Sequence, residues 1–137
     1  MIFLDSNIVI DLLNPGTEWH EWSVHAVARA AHDALVCNHI VVAEVASRFS
    51  TLEEELGHFA VLSLQVLPIG DAAAFRAGKA HDAYRAAGGK REAIVADFLI
   101  AGHAAVLGAT LMTRDRRRFA TYFPNLTLIT PETHPHG

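Results

Sequence analysis

The sequence has a single cysteine among its 137 residues, and that scarcity removes whole classes of function. There is no disulfide framework and no cysteine-based metal cluster, a pattern that suits a reducing cytosol. Cys37 itself, inside the apolar segment "ALVCN", is left to core packing. No stretch reaches the roughly 18 apolar residues that a membrane span needs, and the opening run "MIFLDSNIVI" lacks a basic leader and is broken by Asp5. A cytoplasmic protein with no membrane contact is expected. Linkers, repeats and low-complexity tracts are missing too, so residues 1–131 are expected to form one domain. Residues 132–137, rich in Pro, His and Gly, have the composition of a short disordered tail. A nucleophile with its base is also lacking. Nine histidines are scattered without ligand spacing, and His20, His25 and His32, which fall in one helical segment, read as solvated surface.

Short apolar runs alternating with longer helical patterns mark an α/β chain. Ile2–Leu4 reads as a first strand, and Ser6 is placed to cap a helix that "NPG" stops after Leu13. A helix over residues 18–33 leads to a second strand, "ALVCN". Two helices, "HIVVAEVASRF" and "TLEEELGHFAVLSL", then precede a short strand "VLPI". The next helix starts at Asp71 as its cap and ends at Gly88-Gly89, and "REAIVADFLIAGHAAVLG" forms an apolar helix ending at Gly108. A strand "TLMT", a short helix from Asp115 and a final strand "LTLIT" complete a parallel sheet. Open sheets of this kind bind ligands at the C-terminal rim of their strands.

Four acids stand out by position. Asp5 follows the first strand and Asp115 follows "TLMT", so both belong at that rim. Glu44 lies in "IVVAEVA" on a largely apolar helix face, and Asp97 shares its face with Ile94, Ile100, Ala101 and Ala104. Each has an ordinary reading as well. Asp5 and Asp115 could cap helices, and Glu44 could pair with Arg48 four residues on. Asp97 is different, because no Lys or Arg lies within a helical turn of it. An unpaired buried ion costs several kcal/mol or shifts its pKa until it neutralises. Four acids on one rim repel, and a divalent cation with a preference for hard oxygen ligands, Mg²⁺ or Mn²⁺, resolves the conflict. The formal charge of −4 comes from fifteen acids against eleven bases, so these four account for the entire excess.

The segment "TRDRRRF" sets Arg114, Arg116, Arg117 and Arg118 around Asp115 at a helix start, where the macrodipole disfavours cations. An anionic phosphate backbone accounts for that run. So does a plain solvated face, the other reading open at this point.

Together, "FLDSNIVIDLL", the glutamate of "VVAEV", the aspartate of "ADFLIAGHA" and "LMTRDRRRF" resemble the four motifs of PIN-domain nucleases, in order and over nearly the whole chain. The compact form is similar to the VapC toxins of bacterial toxin–antitoxin pairs. The resemblance implies a PIN-like fold, a central parallel sheet of four to five strands flanked by helices. It matches Asp5, Glu44, Asp97 and Asp115 to the family's acidic quartet, and Ser6, Asn7 and Thr113 to its accompanying polar positions. It further implies Mg²⁺-dependent hydrolysis of RNA, a VapB-like antitoxin and a homodimer. Metal held mainly by Asp5 and Asp97 would activate water, Glu44 and Asp115 would assist, and Arg114, Arg116, Arg117 and Arg118 would meet RNA phosphates. Gly102-His103 departs from the family's alanine-like pattern, and Ile94 precedes "VAD" where relatives carry a proline nearby.

Rival classes fare worse on the same residues. A haloacid-dehalogenase-type phosphatase needs a second acid two residues after the first, where this chain has Asn7, and a dinucleotide-binding module needs a Gly-rich turn that "DSNIV" does not supply. An RNA-maturation nuclease with no toxin role and a catalytically silent PIN-like binding module remain as alternatives. Trp19 and Trp22 near a helix start read either as interface anchors for an antitoxin segment or as core.

Overall fold

The computed structural model describes residues 1–90 and 95–137. β1 (Ile2–Leu4) runs straight into α1 (Ser6–Leu13), and α2 (His20–Arg29) leads to β2 (Leu35–Asn38). After β2 come α3 (His39–Val45), a 3-10 turn at Ala46–Arg48, α4 (Leu52–Val61) and β3 (Leu64–Leu67). The long crossover α5 (Asp71–Ala86) and α6 (Ala96–Leu107) reaches β4 (Thr110–Met112), and α7 (Arg116–Tyr122) returns to β5 (Leu128–Ile129). The sheet is wholly parallel with strand order β3-β2-β1-β4-β5. The expected fold class is the observed one, with five strands.

The residues of β1 are all buried, as are those of β2, which is how parallel strands covered on both faces read in sequence. Ile2 pairs with Leu35 on one side and Phe3 with Leu111 on the other. From β1 the chain builds outward to β3, then crosses over to start again at β4. The reversal therefore lies between β1 and β4, and the crevice at such a switch point is where open α/β sheets take ligands. Cys37 is fully buried in β2; desolvation, with the charge of Glu55 adding, pushes its thiol up to about 12, so it has no thiolate chemistry.

Several element limits differ from expectation. β3 runs Leu64–Leu67 rather than over "VLPI": Ser63, at φ 55°, ends the preceding turn so that the strand starts at Leu64, and Pro68, with no N–H to give to a ladder, stops it. Consequently α4 stops at Val61. α2 is shorter than the expected 18–33 at both ends. Ser6 is the first helical residue of α1 and Asp5 is its cap; likewise Gly70, not Asp71, occupies the cap position of α5. The expected start of the α6 helix at 91–94, Ile94 included, lies outside the described residues. Among the described residues no helix is long and apolar enough to cross a membrane.

The C-terminal residues 132–137 are a series of turns packed on α2. The Trp22 indole N–H donates to the carbonyl of His134 at 2.7 Å, and Gly137 lies against His25 and Ala26. Trp22 is buried and Trp19 is half-buried against the core, so the core reading holds for this pair. His20 is also committed: its Nδ1 donates to the Asp11 carbonyl at 2.6 Å.

Gly102 and His103, the departures noted in the sequence, both have packing roles. A Cβ at Gly102 would stand 3.0 Å from the Ala77 backbone nitrogen and 3.1 Å from the Ala73 carbonyl oxygen, so α6 and α5 meet backbone to backbone. His103 is buried and accepts at Nδ1 from the Asn38 side-chain amide at 3.2 Å; burial lowers its pKa, which favours the neutral ring that this bond requires. Asn38 in turn caps α3, accepting from the Ile40 and Val41 N–H groups at 3.0 and 3.3 Å.

A branched side chain at 102 cannot fit without separating the two helices. Gly102→Val is expected to lower stability by roughly 1–3 kcal/mol through overpacking. Urea melts of the two proteins test this, and equal midpoints would mean that the α5–α6 contact yields freely.

Candidate active site

The site begins with Asp5, where β1 ends and α1 starts. Its Oδ1 accepts from the Ser6 N–H at 2.7 Å, and its Oδ2 accepts from the Thr113 hydroxyl, also at 2.7 Å. Thr113 follows β4, so this bond closes the two strands at their C-terminal ends across 108 residues of sequence. The Thr113 hydroxyl also accepts from the Asp115 N–H at 3.1 Å, orienting the start of α7. Asp5 therefore does both jobs raised by its sequence position: it caps α1 and it lines the rim.

Glu44 reaches the same place from α3. The Ser6 hydroxyl donates to its Oε1 at 2.6 Å, whereas no Glu44–Arg48 ion pair forms among the described residues. Glu44 is exposed at the cleft edge, a different position from the apolar face read in the sequence. Asp97 sits in the first turn of α6 and Asp115 at the cap position of α7, where its side chain makes no cap bond. Together with Ser6, Asn7, Ile10, Arg118 and Phe119, the four acids line a cleft of about 260 Å³.

Asp97 has a cationic partner after all. Arg118 reaches back from α7, its Nη1 bound to Asp97 Oδ2 and its Nε 3.2 Å from Asp115 Oδ2. The hydrogen bond to Asp97, and then the charges of Asp97, Asp115 and Asp5, raise the Arg118 pKa and keep its guanidinium protonated. Arg118 thus supplies positive charge inside the acid cleft. The other arginines separate. Arg116 lies 3.5 Å from Glu132 at the surface, a pair of little energetic weight, and Arg117 has no acidic partner among the described residues.

Arg114 belongs to a second, buried arrangement absent from the sequence reading. Its Nε lies 2.7 Å from Oδ2 of Asp11, which is fully buried, and its Nη2 donates to Asp11 Oδ1 at 3.5 Å, so the guanidinium meets both oxygens of the carboxylate. Its backbone N–H donates to Asn7 Oδ1 at 3.3 Å, and Ser23 of α2 donates to Asp11 at 3.3 Å. Asn7 and Asp11, one turn apart on α1, thereby grip the loop that carries Thr113 and Asp115. The available signal was a charged residue, Asp11, interrupting the apolar face of "IVIDLL".

Burial above all, with the charges of Asp97 and Glu44 adding, raises the Asp5 pKa to about 6 against the hydrogen bonds from Thr113 and Ser6. A hard divalent cation fits this donor set of carboxylate oxygens. Asp5, Glu44, Asp97 and Asp115 are the residues that could hold it; among the described residues, no three acidic or histidine side chains are gathered closely enough to do so as they stand.

Comparison with known proteins agrees with this geometry. The family described as PIN domain matches residues 2–123. VapBC-1 from nontypeable Haemophilus influenzae is similar in structure, with a TM-score of 0.70 and 25% identity over 95% of this chain and 98% of that one. VapBC2 from Rickettsia felis, bound to a DNA fragment from its promoter, gives a TM-score of 0.69 at 24% identity over 95% and 98%. DNA-bound VapBC from Salmonella typhimurium gives 0.68 at 22% over 94% and 96%. No curated protein matches the sequence significantly.

A carboxyl raised from 3.8 to about 6 binds its proton more tightly in the folded state. Folding therefore loses stability as pH rises from about 4 to about 6, on the order of 3 kcal/mol in total. In metal-free buffer Asp5→Asn is expected to melt above wild type at pH 7, with the gap narrowing towards pH 4. A gap that stays constant between these pH values would refute the burial effect.

Proposed function

Because the chain belongs to the PIN-domain family, we propose that it is a divalent-metal-dependent endoribonuclease, cytoplasmic, that hydrolyses RNA phosphodiester bonds as a VapC-like toxin restrained by a VapB-like antitoxin. The observation that carries the reading is convergence. Four acids from four separate segments meet at the switch point of the sheet, around a buried carboxylate whose neighbours hold it in a fixed orientation. A purely structural role fits poorly, since like charges grouped there work against the fold. The similarity to VapBC structures supports an antitoxin partner.

Each residue has a definable task in this reading. Ser6 and Thr113 fix the two oxygens of Asp5, and Ser6 also brings Glu44 to the same edge. Asp5, Glu44, Asp97 and Asp115 would hold Mg²⁺ or Mn²⁺. When bound, such an ion lowers the pKa of a water molecule and offsets charge on the phosphoryl oxygens. Arg118 offers a planar guanidinium at the same edge for phosphate oxygens. Asn7 and Asp11 act as positioning residues through Arg114.

Asp97→Asn preserves shape and removes a ligand charge. Cleavage of RNA in Mg²⁺ or Mn²⁺ is expected to fall at least about 100-fold, in line with the loss of a metal-polarised step. The circular dichroism spectrum should be unchanged, and the rise in melting temperature on adding Mn²⁺ should be smaller than for wild type. Wild-type cleavage rates in the variant would show that Asp97 has been misassigned.

A further inference from the structure

Beside the acid cleft lies a larger one, of about 420 Å³, lined by Tyr84, Val95, Phe98, Tyr122 and Arg117 and sharing Asp97, Asp115 and Arg118 as a common wall. Its character is different. Three rings form the floor in edge-to-face contact, with centroids 5.6 Å apart for Tyr84–Phe98, 5.8 Å for Tyr84–Tyr122 and 5.7 Å for Phe98–Tyr122. His81, buried behind them, stacks on Tyr84 at 6.1 Å and meets the edge of Phe98. Gly89 packs flat on the Tyr84 ring, where any Cβ would collide, so the position of that ring is fixed by its neighbours. Both tyrosines are half-buried, and among the described residues neither phenol hydroxyl has a hydrogen-bond partner.

We propose that this second cleft is a subsite for one unpaired nucleobase of the RNA, carried by the nucleotide next to the bond that is held at the acids. The inference rests on the nuclease reading above and adds to it a place, at named rings, where one base is held by stacking. A base presents a flat π-face to the aromatic floor and polar edges to the two phenol hydroxyls, and aromatic floors bind bases with little preference for sequence. Arg117, with no acidic partner among the described residues, stands on the rim where the flanking phosphate passes. A base paired within a duplex has both faces covered and does not enter. An apolar peptide side chain would use the rings, but would leave the hydroxyls and Arg117 unmatched. The cleft volume falls within the range of sites for small ligands.

The test uses the whole protein and RNA cut by it. Total RNA is digested by wild type in Mn²⁺, a cut site is mapped by end sequencing, and the segment around it is synthesised intact and with an abasic residue at each flanking nucleotide in turn. One abasic position should lower wild-type kcat/KM by roughly 5- to 150-fold, the range of base–aromatic stacking, while the others change little. Tyr122→Leu should lose a similar factor on intact RNA and be insensitive to that abasic position, a coupling that a general loss of stability would not produce. Tyr122→Phe, which keeps the ring, should retain the sensitivity. If no abasic position matters, or if Tyr122→Leu remains fully sensitive, the subsite is overturned while the nuclease reading stands. Loss of antitoxin binding in Tyr122→Leu with unchanged RNA rates would assign the cleft to a protein partner instead. Absence of any metal-dependent cleavage by wild type would overturn both readings.

Discussion

Holding a carboxylate at the buried end of β1 is the constraint around which this fold is arranged. Asp5 is only 4% exposed, and burial alone would drive it towards its neutral form. Two hydrogen bonds oppose that drift, one from its own helix start and one from Thr113 on the neighbouring strand. Because Thr113 must be in place, so must the loop after β4, and that loop is gripped by Asn7 and by the buried Asp11 through Arg114. The cap and first two turns of α1 thus supply the carboxylate, the hydroxyl that fixes Glu44 and the side chains that hold the opposite strand end. Losing one member exposes its partners to an unsatisfied buried environment, which is more costly than the bond itself.

Charge at the rim is balanced from within the chain. Arg118 lies between Asp97 and Asp115, so part of the acidic excess evident in the composition is already met by a guanidinium from the following helix. This is why the arginine run cannot be treated as a single patch. Arg114 is internal, Arg116 touches Glu132, Arg118 faces the acids, and Arg117 remains on the wall of the aromatic cleft. The two clefts are consequently a single continuous surface with different chemistry at each end, hard oxygen donors at one and flat rings at the other.

Much of this was legible in the sequence, for local reasons. The runs Ile2–Leu4, "ALVCN" and "TLMT" are apolar without alternation, as doubly covered parallel strands must be, and an acid directly after such a strand can only lie on its C-terminal rim. What was not legible depends on partners distant in sequence. Asp97 looked cation-free because its arginine is on another helix, and the short tail looked disordered because its anchor, the Trp22 indole, is supplied by α2. The limits of β3 differ for another reason: the apolar run "VLPI" contains Pro68, which cannot extend a ladder, and the strand ends at Leu67. Both Ser6 and Asp5 read as candidate caps of α1, and Asp5, the stronger acceptor standing just before Ser6, takes the position.

The pairing of Phe3 with Leu111 has a consequence for the making of the protein. The central strand leaves a ribosome before the other four strands of the sheet, and the hydroxyl of Thr113 follows Asp5 by 108 residues. Until then Asp5 has no neighbour to hold it, and Asp115 and Arg118 do not yet exist. At roughly 5–20 residues per second, a nascent chain spends seconds with the rim unassembled. The rim is therefore complete only once α7, bringing Asp115 and Arg118, has joined the strands made before it.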